Sequence, residues 1–397
     1  MPEEPASAAK RSSGSRVSAR LSPPLALASA WAGDALALIV GGSHASGSGV
    51  WVVLGGRELC LSDLDVYAVV VDRAAQRAAE TRARADRPGL RARLLDWGLA
   101  APLEVAFLVP ADLACLPARP ATLELACHGL VVSGDPAWRD RVPRWGPADV
   151  SREEILLLHE NRALELLLAW PSLGACLPLA RLQARHAVLK CALDVVRVEA
   201  LGRGEYPDGP RALAEWAGRS GLSVPDGPGR TAFLALLETA VAWRAGQVGE
   251  LDEAGARDEW RTAVAAWAAT WRAWVGPSYD DAVRGARRAR LLRRLRRALS
   301  WPTRSGFGPP FAGRLRHALC GTPQHRVNAS AVVLLLAAAG EGWSGVDPPL
   351  PVLATRSLAA LGVVPAMARS EWAAAARAVV GAWDCWVLDG QRTAEPA

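Results

Sequence analysis

Residues 35–40, Ala-Leu-Ala-Leu-Ile-Val, form an unbroken apolar run that stops at Gly41-Gly42, the pattern of a strand buried on both faces. A short helix is expected before it, over residues 25–34. Two β-rich runs, 49–54 and 57–61, flank Gly55-Gly56 and predict a hairpin with a two-residue turn. Further strands are predicted over 65–71, 102–109 and 129–133, with an Arg/Ala-rich helix over 73–86 and another helix over 121–128. Gly134-Asp135-Pro136 closes this stretch.

The period changes near residue 150. Ser151-Arg-Glu-Glu154 is a capping-box pattern ahead of an apolar run. Beyond it the spacing is helical almost throughout. Helices are predicted over 152–170, 178–202, 210–219, 230–248, 253–275, 280–299, 327–339, 353–361 and 370–383. Residues 1–22, rich in Ser, Ala, Arg and Glu, carry no apolar period and are expected to form a mobile tail. The expectation is an α+β protein. Residues 23–150 form a mixed sheet with helices, and residues 151–397 form an all-α region, with a subdivision near 300–327.

Composition adds limits. The 397 residues are 51% hydrophobic and 22% charged, enough apolar surface to exclude global disorder. No apolar stretch long enough for a membrane span is seen, and no signal peptide is expected. Seven cysteines, without a Cys-x-x-Cys spacing, predict reduced thiols and a cytoplasmic setting. The net charge of +6 has a local source, the eight arginines between Arg284 and Arg297. Leu291, Leu292, Leu295 and Leu299 make that segment an amphipathic helix. Its basic face has three readings: a solvated surface, a contact for nucleic acid or an acidic partner, or a contribution to phosphate binding.

The chemistry concentrates ahead of residue 110. Asp63 and Asp65 are one residue apart at the start of a predicted strand, so period two puts both carboxylates on one face, within reach of one divalent cation. Gly41-Gly42-Ser43 upstream offers backbone N–H groups and a hydroxyl to phosphate oxygens. Glu104, between Leu103 and Val105, is the candidate third carboxylate. An acid within an apolar strand is costly unless it is paired or bound to metal. Glu124, on a predicted helix, is its competitor. Carboxylates beside a phosphate cradle suggest Mg²⁺-dependent chemistry on a nucleotide.

Gly41-Gly42-Ser43, Asp63-Leu64-Asp65 and the hydrophobic–Glu104–hydrophobic strand resemble the motif set of the DNA polymerase β-like nucleotidyltransferase superfamily, over roughly residues 30–136. The close at Gly134-Asp135-Pro136 is similar to that of antibiotic- and sugar-modifying members. The resemblance implies that Gly42 and Ser43 contact the triphosphate and that Asp63 and Asp65 ligate two Mg²⁺ ions. It implies that Glu104 ligates the catalytic ion and assists deprotonation of the acceptor. One departure is the long gap between Ser43 and Asp63, filled by the predicted hairpin. In His44 and Ser46 the chain also differs from many members.

Related enzymes often bring a lysine from the helical region to the phosphates. Lys190, one of only two lysines, is that candidate, with a surface salt bridge as the alternative. His186 lies one turn before it, and Asp194 one turn after could pair with it. Trp260, Trp267, Trp271 and Trp274 follow a helical stripe and are expected in a core. The implied activity is transfer of an NMP, with ATP the expected donor, to a hydroxyl of a small molecule, releasing pyrophosphate. Transfer to a protein or RNA, or non-catalytic nucleotide binding, are the alternatives.

Overall fold

The computed structural model describes residues 19–276, apart from 225, 248, 250 and 251, together with 323–340, 352–361 and 371–383. The arginine-rich segment 284–297, the helix expected over 280–299 and most of the expected tail lie outside the described residues. The protein is α+β. The chain divides into two compact units, Met1–Ser151 with Gly204–Ala212 and Val241–Gly249, and Arg152–Arg203 with Leu213–Ala240 and Glu250–Ala397.

The front unit holds α1 (Ser22–Ala32), β1 (Ala35–Val40), α2 (Gly42–Ala45), β2 (Trp51–Leu54), β3 (Arg57–Cys60), β4 (Leu64–Val70), α3 (Arg73–Ala85), α4 (Leu90–Asp96), β5 (Leu103–Leu108), α5 (Pro110–Leu113), α6 (Pro120–His128) and β6 (Leu130–Gly134). Four strands form one mixed sheet in the order β5-β4-β1-β6. β4 and β5 run parallel, and the other two pairings are antiparallel.

The sequence pattern follows from this order. β1 and β4 are central and buried on both faces, hence their nearly continuous apolar runs. β5 and β6 are edges and keep exposed positions. One face, through Leu38, Val66, Ala68 and Phe107, packs on Leu25, Ala28 and Trp31 of α1 and Ala79 of α3. The other, through Ala37, Ile39 and Val69, packs on Leu113 and Leu125. Leu21, assigned to the tail by the sequence reading, is 1% exposed in the first of these cores, and Ser22 already opens α1. An apolar side chain next to a helix start finds a core; a composition rich in Ser and Arg does not reveal it.

β2 and β3 form a separate hairpin, with Gly55 at φ 58° and Gly56 at φ 78°. Two consecutive positive φ values are what a type I′ turn requires. A bridge from Cys60 to Leu99 ties the hairpin to the segment leading into β5. Asp72 caps α3 by accepting the Ala75 N–H at 2.8 Å.

The second unit is built from α7 (Arg152–Leu173), α8 (Pro178–Gly202), α9 (Gly209–Arg219), α10 (Pro228–Arg244), α11 (Glu253–Val275), α12 (Pro323–Ala338), α13 (Val352–Leu361) and α14 (Trp372–Trp383). The first residues of α9 and the last of α10 belong to the front unit. Trp260, Trp267 and Trp271 are fully buried, and Trp274 is half-buried. Buried indoles carry a donor that needs a carbonyl. Trp260 donates to Leu166 at 2.8 Å, Trp267 to His159 at 2.9 Å and Trp372 to Leu334 at 2.8 Å. Among the described residues, no helix is long and apolar enough to cross a membrane.

Candidate functional site

The site is assembled where β1 ends beside the start of β4. The ladder continues past β1, because the Gly41 N–H donates to the Asp65 carbonyl at 2.9 Å. That contact sets the Gly41-Gly42-Ser43 turn alongside Asp65. Gly42 has φ +60°, and a Cβ built on it would stand 2.3 Å from Asp65 Oδ2. Only glycine lets the backbone approach the carboxylate this closely. The turn then runs through α2. The Ser46 N–H donates to the Gly42 carbonyl at 3.2 Å, and the Ser48 N–H to the Ser43 carbonyl at 2.8 Å.

Asp65 and Glu104 are direct partners in the parallel β4–β5 register, which sets their backbones about 5 Å apart. Leu64, Val66 and Ala68, with Leu103 and Phe107, belong to the α1-side core. By alternation, Asp65 and Glu104 therefore share the opposite face, and Asp63 has the same parity just ahead of the strand. Asp63 and Asp65 are half-buried, whereas Glu104 is exposed. This corrects the sequence argument for Glu104. The glutamate is not an acid trapped inside a strand, because β5 is the sheet's edge. Its candidacy rests on register with Asp65.

Tyr67, two residues after Asp65, reports the field on this face. Its phenol is pushed up to about 12, first by burial, then by Asp65, Glu124 and Glu104, with Arg119 pulling the other way. Glu124 of α6, read from sequence as a competitor of Glu104, is half-buried and contributes to the same field. The sequence reading missed Tyr67 and Arg119. Tyr67 was within reach of the period-two argument already used for Asp63 and Asp65.

Behind the turn, His44 is 3% exposed. Its Nε2 lies 3.2 Å from the Ser62 carbonyl and 3.4 Å from Cys60 Sγ. Burial lowers the His44 pKa and pushes the Cys60 thiol up to about 12, so both groups are neutral at pH 7. Ser62 Oγ accepts the Val50 N–H at 2.9 Å. These contacts anchor the residue before Asp63 to the strand leading into the hairpin. His44 and Cys60 thus support the chain that carries Asp63.

Lys190 belongs to the second unit, 3.7 Å from Glu165. Asp194 pairs with Arg162 at 2.8 Å and Arg197 at 2.6 Å. His186 is buried on the same helix. Among the described residues, no group of three or more His, Cys, Asp or Glu side chains is gathered as a metal site. No family model, no curated protein and no solved structure matches the chain.

Proposed function

We propose that the protein is a Mg²⁺-dependent nucleotidyltransferase, moving an NMP, with ATP the expected donor, to a hydroxyl of a small acceptor. The observation that carries the reading is the register of Asp65 opposite Glu104, with the Gly42 backbone seated against the Asp65 carboxylate. Asp63, Asp65 and Glu104 are all-oxygen donors, the set a hard divalent cation takes. They would hold the ions. Bound there, Mg²⁺ supplies charge neutralisation at the α-phosphorus and makes the acceptor hydroxyl easier to deprotonate.

The chain's own residues position the reactants. Gly42 and Ser43 present N–H groups and a hydroxyl to the triphosphate. Gly42 has no side chain to stand between phosphate and carboxylate. Glu104, the exposed acid of the three, faces the acceptor side and takes the hydroxyl proton. Asp63 and Asp65, half-buried and held by the ladder and by Ser62, keep fixed positions. Positioning of this kind supplies much of the rate in such transfers. The choice of a small hydroxylated acceptor rests on the resemblance alone. A reducing, cytoplasmic setting belongs to this reading, on the seven cysteines without a Cys-x-x-Cys spacing.

The test is thermal unfolding with each of the four NTPs, with and without Mg²⁺, for the wild type and Asp65→Asn. A ligand at ~100 times its Kd adds about 2.7 kcal/mol. A Mg²⁺-dependent rise in Tm that the variant loses is the expected result. No rise with any NTP defeats the reading.

A further inference from the structure

We propose that His44 is a positioning residue: its imidazole fixes the separation of the Gly42-Ser43 turn from Asp63, and with it the cation affinity of the site. The inference rests on the nucleotidyl-transfer reading of the same site. His44 directly follows Ser43 in α2, and Ser62 directly precedes Asp63. The two are 18 residues apart in sequence, yet His44 Nε2 lies 3.2 Å from the Ser62 carbonyl. A carbonyl can only accept, so the imidazole donates from Nε2. One side-chain hydrogen bond therefore ties the turn to the chain that carries the first carboxylate.

The tie is placed where the backbone does not supply one. The ladder fixes Asp65 to the turn, through the Gly41 N–H. Asp63 lies just ahead of β4, and the β4–β5 register begins at Leu64. The connection from His44 to Ser62 runs out through the β2–β3 hairpin, and a detour of that length does not set the distance between its own ends. The long gap between Ser43 and Asp63 and the histidine after Ser43 thus belong together. The surroundings keep the ring in place. Trp51 meets it edge-on, with ring centroids 6.3 Å apart at 74°. A Cβ on Gly49 would stand 2.9 Å from His44 Nδ1 and 3.0 Å from Cε1, so glycine there lets the loop close over the imidazole. Ser62 is also held by the Cys60 thiol, which donates to its carbonyl at 3.4 Å, and by the Val50 N–H, which donates to its Oγ at 2.9 Å. Of these three contacts, that of His44 comes from the turn. Arg244, at the end of α10, holds the loop further out, donating to the Ser48 carbonyl at 3.1 Å.

The experiment compares the full-length wild type with His44→Gln, His44→Met and Gly49→Ala. Gln carries an amide N–H at the reach of Nε2, whereas Met fills similar space without a donor. Gly49→Ala keeps the imidazole and takes away its seat. Titration calorimetry with the NTP that the wild type binds best, over a series of Mg²⁺ concentrations, gives the Mg²⁺ needed for half-maximal binding. Urea unfolding in metal-free buffer records stability separately. His44→Met and Gly49→Ala are expected to need roughly tenfold more Mg²⁺, the lower end of the range for residues that stand behind a metal ligand. His44→Gln should stay close to the wild type. A role in stability alone predicts the opposite pattern: urea midpoints fall, His44→Gln included, and the Mg²⁺ requirement does not move. That pattern, or a wild-type Mg²⁺ requirement in His44→Met, overturns the inference and leaves the nucleotide reading standing. Gly49→Ala decides in its place if His44→Met does not fold. A wild type that binds no NTP defeats the reading, and the inference with it.

Discussion

Gly42→Ala is the sharpest probe of the site, because it carries two separable costs. The first is backbone. Gly42 has φ +60°, a conformation that costs an L-residue roughly 1–2 kcal/mol. The second is a collision. The new Cβ would lie 2.3 Å from Asp65 Oδ2, 3.4 Å from its Cγ and 3.8 Å from its Cβ. The carboxylate is a side-chain end and can swing aside, so the collision displaces Asp65 more than it unfolds the protein. The expected loss is therefore about 1–3 kcal/mol of stability in the front unit, a drop of several degrees in its transition. Mg²⁺–NTP stabilisation should be lost together with it. An Asp65→Ala background separates the two costs. It removes Oδ2 and Cγ and keeps only the Cβ, at an ordinary contact distance. There Gly42→Ala should show the backbone cost alone, so the double-mutant cycle has a coupling energy of the collision's size. Urea unfolding of the four chains measures it. Identical losses in both backgrounds would mean that the carboxylate does not lie against Gly42. No loss in either would refute the left-handed turn.

Two titrations should appear in stability. Burial depresses His159 to about 3, below its usual 6.5. Its contribution is therefore complete above pH ~6.5 and falls toward pH 3, at most by about 1.4 kcal/mol per pH unit. Urea midpoints from pH 7 to 4 should fall less steeply in His159→Phe, which keeps a ring against Trp267 and Trp271; parallel curves would oppose this. Tyr67 is raised to about 12, so its contribution is complete below pH ~10 and is lost as pH rises through 12. In metal-free buffer, one of the three tyrosines should ionise late by ultraviolet absorbance, and Tyr67→Phe should remove that phase. A single step near pH 10 would contradict it.

What a sequence shows of such a site depends on how far apart in the chain its parts lie. β1 and the hairpin are legible because an apolar run and a Gly-Gly pair are local signals, and the spacing of Asp63 and Asp65 is local in the same way. The partnership of Asp65 with Glu104 was not readable, because strand register is a long-range outcome of packing on both faces of the sheet. Of the two grounds for Glu104, the motif resemblance and the cost of an acid within an apolar strand, the second does not hold, because its place on an edge strand leaves it exposed. α4 and α5 were missed because a few residues of helix leave too short a period to see. Arg244 lies 196 residues from Ser48, and nothing in its local pattern distinguishes it among many arginines. Lys190 is singled out by the resemblance and by the rarity of lysine in this chain, and neither fixes a position. What it stands beside is Glu165. The contact of Arg244 with the Ser48 carbonyl becomes visible only when the fold brings the end of a late helix back to the loop that follows Ser43.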